Sequence, residues 1–267
     1  MKTIQFVKMS GAGNDFVVID NRRKGAVSNG PRAAQRLCDR RRSIGADGLL
    51  LVEKSRKADA RMRIFNPDGS EAAMCGNGVR CVARFAAGPK RRLSIETAAG
   101  VIRAEVRGNT VKARIPDPRD LRLGVPLELN GSRGIVHTID TGVPHAVVIV
   151  EDLCCADVSG IGRGIRRHDF FKPRGTNVNF VSIGPGNSIA VRTYERGVEG
   201  ETAACGTGST ASALVSASLK NLKSPVAVRT AGGDRLKVYF KRTNGRFSDV
   251  RLEGPVETTF QGKVSLP

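Results

Sequence analysis

The sequence has no tryptophan, two tyrosines and three histidines among its 267 residues. It also lacks any apolar run close to the ~18 residues that a membrane-spanning helix needs. The first residues, MKTIQFVKMSG, do not contain the apolar stretch of a secretory signal peptide. We therefore expect no membrane partner and a cytoplasmic location, where thiols stay reduced.

The patterns that mark metal and disulfide sites are also missing. None of the six cysteines belongs to a Cys-x-x-Cys pair, and the histidines, His137, His145 and His168, have no metal-ligand spacing. We expect no metal ion and no other cofactor, although a thiol-based redox or zinc-binding protein stays an alternative. Cys38 and Cys81 lie on the apolar faces of predicted helices, so we interpret them as packing residues.

Basic residues greatly outnumber acidic ones, with 44 Lys and Arg against 25 Asp and Glu, which gives a net charge of +19. Such an excess can attract nucleic acid through its phosphates. Few aromatic side chains are available for base stacking, however, and no nucleic-acid-binding signature is present. The composition favours a basic solvated surface without a specific nucleic-acid partner. A nucleic-acid binder stays an alternative on charge alone.

One motif occurs twice. MCGNG at 74–78 matches ACGTG at 204–208, an offset of 205 − 75 = 130 between the cysteines. The match continues on both sides of each cysteine, in RIFN (63–66) with RTYE (192–195), GNDFVV (13–18) with GVPHAV (142–147), and ETAAG (96–100) with RTAGG (229–233). Four matches in one order indicate two copies of one unit, each with one thiol at the same structural point.

The repeat and the pattern of strands predict the fold class. We expect an α+β protein of two pseudo-symmetric domains, each a curved mixed or antiparallel sheet wrapped around a central helix, with an active site in the cleft between them. Helices are predicted at 31–41, 78–87, 161–167 and from Cys205 to about Lys220. The predicted domains are 1–116 plus 256–267, and 117–255, with PDPRD (116–120) as the linker. The tail from Val256 to Pro267 is expected to pair with the first domain.

Each cysteine precedes a predicted helix and is followed by glycines, which expose backbone N–H groups suited to an anion. A helix N-terminus also lowers the pKa of a nearby thiol below its free value of about 8.5. A single such cysteine would be interpreted as a buried residue that caps a helix. Two of them fit a reaction in which one thiolate removes a proton from a stereocentre and one thiol returns a proton to the opposite face.

Polar residues flank these motifs at matching positions of the repeat. The alignment places Asn14 against Val143, Asn66 against Glu195, and Gly48 against Asn177. Such side chains could hold an amino-acid substrate, and Arg196 is suited to a second carboxylate. The alternatives are turn chemistry for Asn66 and a surface ion pair for Glu195 with Arg196.

The sequence resembles the diaminopimelate epimerase family over nearly its whole length. The resemblance lies in SGAGNDFVVID, IGADGLL, RIFNPDGSEAAMCGNGVRC, GTNVNF and YERGVEGETAACGTGS. It implies cofactor-independent epimerisation of LL-diaminopimelate to meso-diaminopimelate, in lysine and peptidoglycan biosynthesis, by a cytoplasmic homodimer. Proline and hydroxyproline racemases of the same fold are an alternative, but they resemble MCGHG, whereas this chain has Asn77 and the YERG segment.

The resemblance also implies a role for individual residues. It makes Cys75 and Cys205 the acid and base, His145 and Glu195 the residues that tune the thiols, and Phe260 a dimerisation residue. The implied substrate contacts are Asn14, Asn66, Asn177, Glu195 and Arg196, with the backbone of Gly76, Asn77, Gly206 and Thr207 cradling the α-carboxylate. Many family members have Asn in place of Val143 and Gln in place of Gly48, and both positions contribute to substrate binding there.

Overall fold

A computed structural model describes residues 2–23, 25–129 and 131–266. The strands are β1 (Lys2–Gly11), β2 (Asn14–Asp20), β3 (Gly48–Glu53), β4 (Ala60–Phe65), β5 (Glu71–Ala72), β6 (Arg92–Thr97), β7 (Gly100–Arg107), β8 (Thr110–Arg114), β9 (Arg119–Leu129), β10 (Ser132–Asp140), β11 (Pro144–Ile149), β12 (Asn177–Ile183), β13 (Ser188–Glu195), β14 (Gly200–Thr202), β15 (Val226–Thr230), β16 (Arg235–Thr243), β17 (Arg246–Pro255) and β18 (Glu257–Leu266). The helices are α1 (Gly30–Leu37), α2 (Gly76–Ala86), α3 (Val158–Arg167) and α4 (Gly206–Lys220), with a 3-10 turn at Asp169–Phe171.

The chain folds into two compact units, Met1–Ala113 with Gly254–Pro267, and Arg114–Glu253. The tail returns to the first unit as predicted, because β18 pairs antiparallel with β1. The predicted linker at 116–120 is wrong at its C-terminal end, where Arg119 already begins β9 and pairs with β10. The domain division expected from the repeat, with boundaries at 116/117 and 255/256, stays a prediction.

Strand pairing follows the same scheme inside each unit. In the first, β2 runs parallel to β3, and β4 pairs antiparallel with β3 and β5 and parallel with β6. In the second, β11, β12, β13, β14 and β15 repeat these relations in the same order. The register repeats as well. Phe16 lies opposite Gly48 in the first unit, and His145 lies opposite Asn177 in the second. Each residue of the second pair follows its counterpart in the first by the same offset, since 145 − 16 = 129 and 177 − 48 = 129. This register confirms the predicted tandem repeat within the described residues.

The helix that follows each cysteine motif lies in the core of its unit. Val79, Cys81 and Val82 of α2 are fully buried against strands of the first unit. In α4, residues 208–217 are all buried, and most of their side chains are small, so the helix fits closely against its strands. A fully buried Val or Leu side chain contributes ~1.5–3 kcal/mol, so these two helices anchor the folded units. The packing role predicted for Cys38 and Cys81 is confirmed, since both are buried.

Helices α1 and α3 begin at side-chain caps. Asn29 accepts the backbone N–H of Arg32 at the start of α1, and Asp157 accepts that of Gly160 at the start of α3. The predicted end of α1 at residue 41 is wrong, because the helix ends at Leu37. After it, the Asp39 carboxylate accepts the next backbone N–H groups in a turn, which competes with further helix.

None of the helices in the described ranges has the length and apolar character needed to cross a membrane.

Two glycines of α3 provide a matched test of packing. A Cβ on Gly162 would lie 2.7 Å from the Cβ of Tyr194 on β13, whereas a Cβ on Gly164 would meet only the Leu129 side chain, at 3.4 Å. We expect Gly162→Ala to lower the free energy of unfolding by about 1–3 kcal/mol through overpacking. Gly164→Ala should leave it unchanged or raise it by up to ~1 kcal/mol, because alanine favours the helix. Urea unfolding measures both, and equal stability of the two variants would contradict this packing.

Candidate active site

Cys75 is the N-cap residue of α2. Its backbone is extended, and its Sγ accepts the backbone N–H of Gly78 at 3.5 Å. The side chain is partly exposed, unlike that of Cys81 in the same helix. An N–H donor at a helix N-terminus favours negative charge on the sulfur that accepts from it.

Cys205 has the same position in the second unit. It is the N-cap residue of α4, and its Sγ accepts the backbone N–H of Gly208 at 3.4 Å and lies 3.5 Å from the Thr207 hydroxyl. It is more enclosed than Cys75, with 7% of its surface exposed. The repeated motif therefore produces the same local arrangement of sulfur, glycine N–H and helix in both units.

Three of the other cysteines, Cys38, Cys81 and Cys155, lie in environments that favour the neutral thiol. Burial raises the pKa of both Cys38 and Cys81 to about 12. At Cys155, which is exposed, the hydrogen bond to the Asp152 carboxylate raises the thiol pKa. All six cysteines are free thiols. Within the described ranges, His, Cys, Asp and Glu side chains form no group of three that could hold a metal ion.

Polar residues of the first unit converge on the start of α2. The Asn77 amide donates to the Asn14 side chain at 2.7 Å, and its own oxygen accepts from Arg80 at 2.8 Å. Asn14 in turn donates to the Asp47 carboxylate at 3.2 Å. The structure therefore brings Asn14 and Asn77 together beside Gly76 and the N-cap Cys75.

Asn66 is held by its own turn. Its backbone N–H and its side-chain amide donate to the carbonyl and the hydroxyl of Ser70, at 2.8 and 2.9 Å. The turn role left open by the sequence is therefore confirmed. The role of Asn66 in binding substrate stays a prediction.

In the second unit, Asn177, Glu195 and Arg196 lie close together. The Asn177 side-chain oxygen accepts the backbone N–H of Arg196 at 2.8 Å. The Glu195 carboxylate accepts the Thr202 hydroxyl at 3.0 Å, and burial raises its pKa. The Arg196 guanidinium donates to the Arg174 carbonyl at 3.1 Å. In the described structure, Glu195 and Arg196 thus bond to other groups, so the alternative of a surface ion pair between them is wrong.

His145 is buried on β11, with its Nδ1 3.1 Å from the Asn179 amide nitrogen. Burial, together with the positive charge of Arg196, lowers the pKa of the ring to about 3. His145 is therefore neutral near pH 7. Any influence on a thiol must come from a neutral ring and not from an imidazolium.

The two positions that depart from the family pattern differ in their surroundings. A Cβ on Gly48 would lie 3.1 Å from the Phe65 carbonyl oxygen and 3.4 Å from the Phe16 ring, so a longer side chain there needs its neighbours to shift. The Val143 carbonyl accepts the backbone N–H of Thr141 at 3.2 Å. Phe260 lies on β18 with 47% of its surface exposed, and its ring meets Phe6 edge-on, with 5.9 Å between centroids.

Asn179 is not among the predicted site residues, yet it is fully buried and hydrogen-bonded to His145. The signal was present in GTNVNF, because Asn177 and Asn179 alternate with apolar residues and so share one face of a strand. Asp47, whose carboxylate accepts from the Asn14 amide, is not among the predicted site residues either. Asn179 contacts His145, and Asp47 contacts Asn14. Such contacts to a predicted site residue are not visible in a sequence motif.

Comparison with known proteins identifies the family. The family model described as diaminopimelate epimerase matches residues 6–116 and 137–255. The chain belongs to the diaminopimelate epimerase family. A diaminopimelate epimerase of Aquifex aeolicus is 44% identical over 98% of each chain, and one of Archaeoglobus fulgidus is 45% identical over 86% of this chain and 87% of that protein. The resemblance found in the two cysteine motifs is thereby confirmed.

Solved structures show the same fold at low sequence identity. A Bacillus anthracis phenazine biosynthesis protein of the PhzF family has a TM-score of 0.77 and 19% identity, with full coverage of both chains. A hydroxyproline epimerase from Agrobacterium vitis has a TM-score of 0.70 and 18% identity, over 99% of this chain and 93% of that one. These likenesses confirm the predicted α+β fold of two repeated domains.

Proposed function

We propose that this member of the diaminopimelate epimerase family interconverts LL- and meso-diaminopimelate without a cofactor, with Cys75 and Cys205 as its two acid/base groups. The observation that carries the proposal is that both sulfurs cap a helix N-terminus and accept the N–H of the third residue after them. Matching thiols at matching points suit a reaction that runs in both directions, because each group must serve as base in one direction and as acid in the other.

The proposed chemistry balances without any other reactant. One cysteine, as thiolate, takes the α-proton and becomes a thiol, and the electron pair of the broken C–H bond stays on the α-carbon and its carboxylate. The other cysteine, as thiol, gives its proton to the opposite face of that carbon and becomes a thiolate. Each sulfur needs to approach the α-carbon to within roughly 3–3.5 Å. Cys75 serves one face in this proposal, and Cys205 serves the other.

Negative charge grows on the α-carboxylate as the proton leaves. Backbone N–H groups at a helix N-terminus stabilise such charge, and they gain most when they are fixed before the reaction. We assign this role to Gly76 and Asn77 at the start of α2, and to Gly206 and Thr207 at the start of α4. Asn14, Asn66, Asn177 and Arg196 are the proposed contacts to the remaining polar groups of the substrate.

The mechanism needs one thiol and one thiolate at the same time. A neutral N–H donor favours a nearby thiolate, whereas an ionised carboxylate disfavours one. His145 is neutral, and Glu195 is a half-buried carboxyl group with a raised pKa. We propose that His145 stabilises the thiolate form of one cysteine and that Glu195 destabilises the thiolate form of the other. The resting enzyme then holds one thiolate and one thiol.

We also propose that the enzyme is a cytoplasmic homodimer, as the family resemblance implies, with Phe260 in the interface. Its exposed ring on β18 supports this assignment, since large exposed aromatic side chains are common at interfaces. Sedimentation equilibrium tests it: a monomer at micromolar concentration would contradict the dimer, and Phe260→Asp should shift a dimer toward monomer.

The first test removes each sulfur in turn. We expect Cys75→Ala and Cys205→Ala each to lower kcat with LL-diaminopimelate by roughly 10³-fold or more, because each removes one of two essential proton carriers. Stereochemical assays of the product measure this, and circular dichroism checks that the fold is intact.

Cys155→Ala is the matched control, since this cysteine is exposed and outside the proposed site. It should keep the rate of the unaltered enzyme. Parallel assays with proline and hydroxyproline test the substrate. Wild-type turnover by either single variant would contradict the two-base assignment, and turnover of proline but not diaminopimelate would contradict the proposed substrate.

A further inference from the structure

A buried polar cluster spans three neighbouring strands behind the Cys205 motif. It consists of His145 on β11, Asn179 on β12 and Thr193 on β13, none of which is more than 3% exposed. The Asn179 amide nitrogen lies 3.1 Å from His145 Nδ1 and donates to the Ala146 carbonyl at 3.0 Å. The Thr193 hydroxyl donates to the Asn179 side-chain oxygen at 3.0 Å. Asn179 is therefore the centre of the cluster.

The first unit has no such cluster at the matching positions. Residues 16, 50 and 64, each 129 earlier, are Phe16, Leu50 and Ile64. All three belong to one apolar core cluster together with α2. Strand register and helix are otherwise shared by the two units, so the polar cluster is a specific property of the second unit.

The same contrast holds at the glycine that donates to each sulfur. A Cβ on Gly78 would meet the Leu50 side chain at 3.1 Å, whereas a Cβ on Gly208 would overlap the Asn179 side-chain oxygen. Asn179 thus packs directly against the first turn of α4, two residues after the start of the helix. Burial of polar groups costs free energy unless they are hydrogen-bonded, so this replacement of three apolar side chains needs a reason.

The hydrogen bonds determine which ring nitrogen of His145 carries the proton. The Ala146 carbonyl can only accept, so the Asn179 atom that faces it is the amide nitrogen. That nitrogen is a donor, and therefore His145 Nδ1, its other neighbour, is an acceptor without a proton. A neutral imidazole has one proton, which must then lie on Nε2.

Nε2 of His145 is buried and has no hydrogen-bond partner among the described residues. A buried N–H without a partner is unfavourable, and it becomes favourable when an anion accepts from it. His145 lies opposite Asn177, whose side chain holds the Arg196 backbone, among residues assigned to substrate binding. An anionic acceptor in the proposed reaction is a substrate carboxylate or a cysteine thiolate.

We infer that Asn179 is a positioning residue of the epimerase: it holds His145 in the Nε2–H tautomer, so that the ring offers the reaction a neutral hydrogen-bond donor and not a base. The inference rests on the proposed function for its catalytic consequence. The tautomer itself is a property of the folded chain and can be measured without substrate.

The test measures ¹⁵N chemical shifts of the histidine rings, with His145 assigned by its loss in His145→Gln. In the unaltered enzyme we expect the shift of an unprotonated Nδ1 and a protonated Nε2 for His145, constant between pH 5 and 8. Asn179→Asp should reverse the tautomer, since a carboxylate accepts from Nδ1–H. Asn179→Leu, which copies Leu50 of the first unit, should leave the ring without a single tautomer.

Steady-state kinetics complete the test. Both Asn179 variants should lower kcat/KM by at least about tenfold with the fold intact. A change confined to KM would mean that His145 Nε2–H donates to a substrate carboxylate. A change confined to kcat would mean that it donates to a cysteine thiolate. Thr193→Val is the matched control, because it removes a buried hydroxyl from the same cluster but keeps the amide beside His145. It should retain both the tautomer and the rate within about threefold.

A protonated Nδ1 in the unaltered enzyme would overturn the inference, as would a reversed tautomer in Asn179→Asp with kcat and KM unchanged. Failure of the proposed function is distinguishable from both. In that case the unaltered enzyme would not turn over diaminopimelate, while the expected tautomer would still be observed.

Discussion

A helix that starts inside a folded unit exposes backbone N–H groups that its own turns cannot satisfy. In this chain, a cysteine sulfur occupies the N-cap position at two such helix starts and accepts the N–H of a glycine. The glycine leaves room for the side chain packed against it, which is Leu50 in the first unit and Asn179 in the second. The helix N-terminus favours negative charge on the sulfur. Much of the proposed chemistry depends on this arrangement, because a thiol can act as a base only where its thiolate is stabilised.

The tandem repeat provides this arrangement twice, but the residues on the strands that pack against the two helices differ. Equivalent strands hold Phe16, Leu50 and Ile64 in one unit and His145, Asn179 and Thr193 in the other. An inversion that uses one thiol and one thiolate needs two similar groups in different electrostatic surroundings. A duplicated fold with apolar packing behind one motif and a buried polar cluster behind the other meets both needs.

Features that depend on local pattern could be predicted from the sequence. The cysteine motifs, the helices after them, the repeat and the returning tail follow from spacing and periodicity. Other features depend on competition between local signals, or on contacts between residues far apart in the chain. The end of α1 at Leu37 depends on Asp39 competing for backbone N–H groups. The start of β9 at Arg119 was placed in the predicted linker because of Pro116 and Pro118. The link from Asn179 to His145 joins two strands 34 residues apart, which no local pattern reveals.

The central claim is that proton removal and proton return use two different sulfurs. It is tested most directly by running the reaction from LL-diaminopimelate in heavy water and locating deuterium in the first product formed. The account predicts one deuterium at the inverted carbon of meso-diaminopimelate, because the returning proton comes from a thiol that has exchanged with solvent. Product that forms at the normal rate without deuterium at that carbon would contradict it, since a single group would then have carried the same proton from one face to the other.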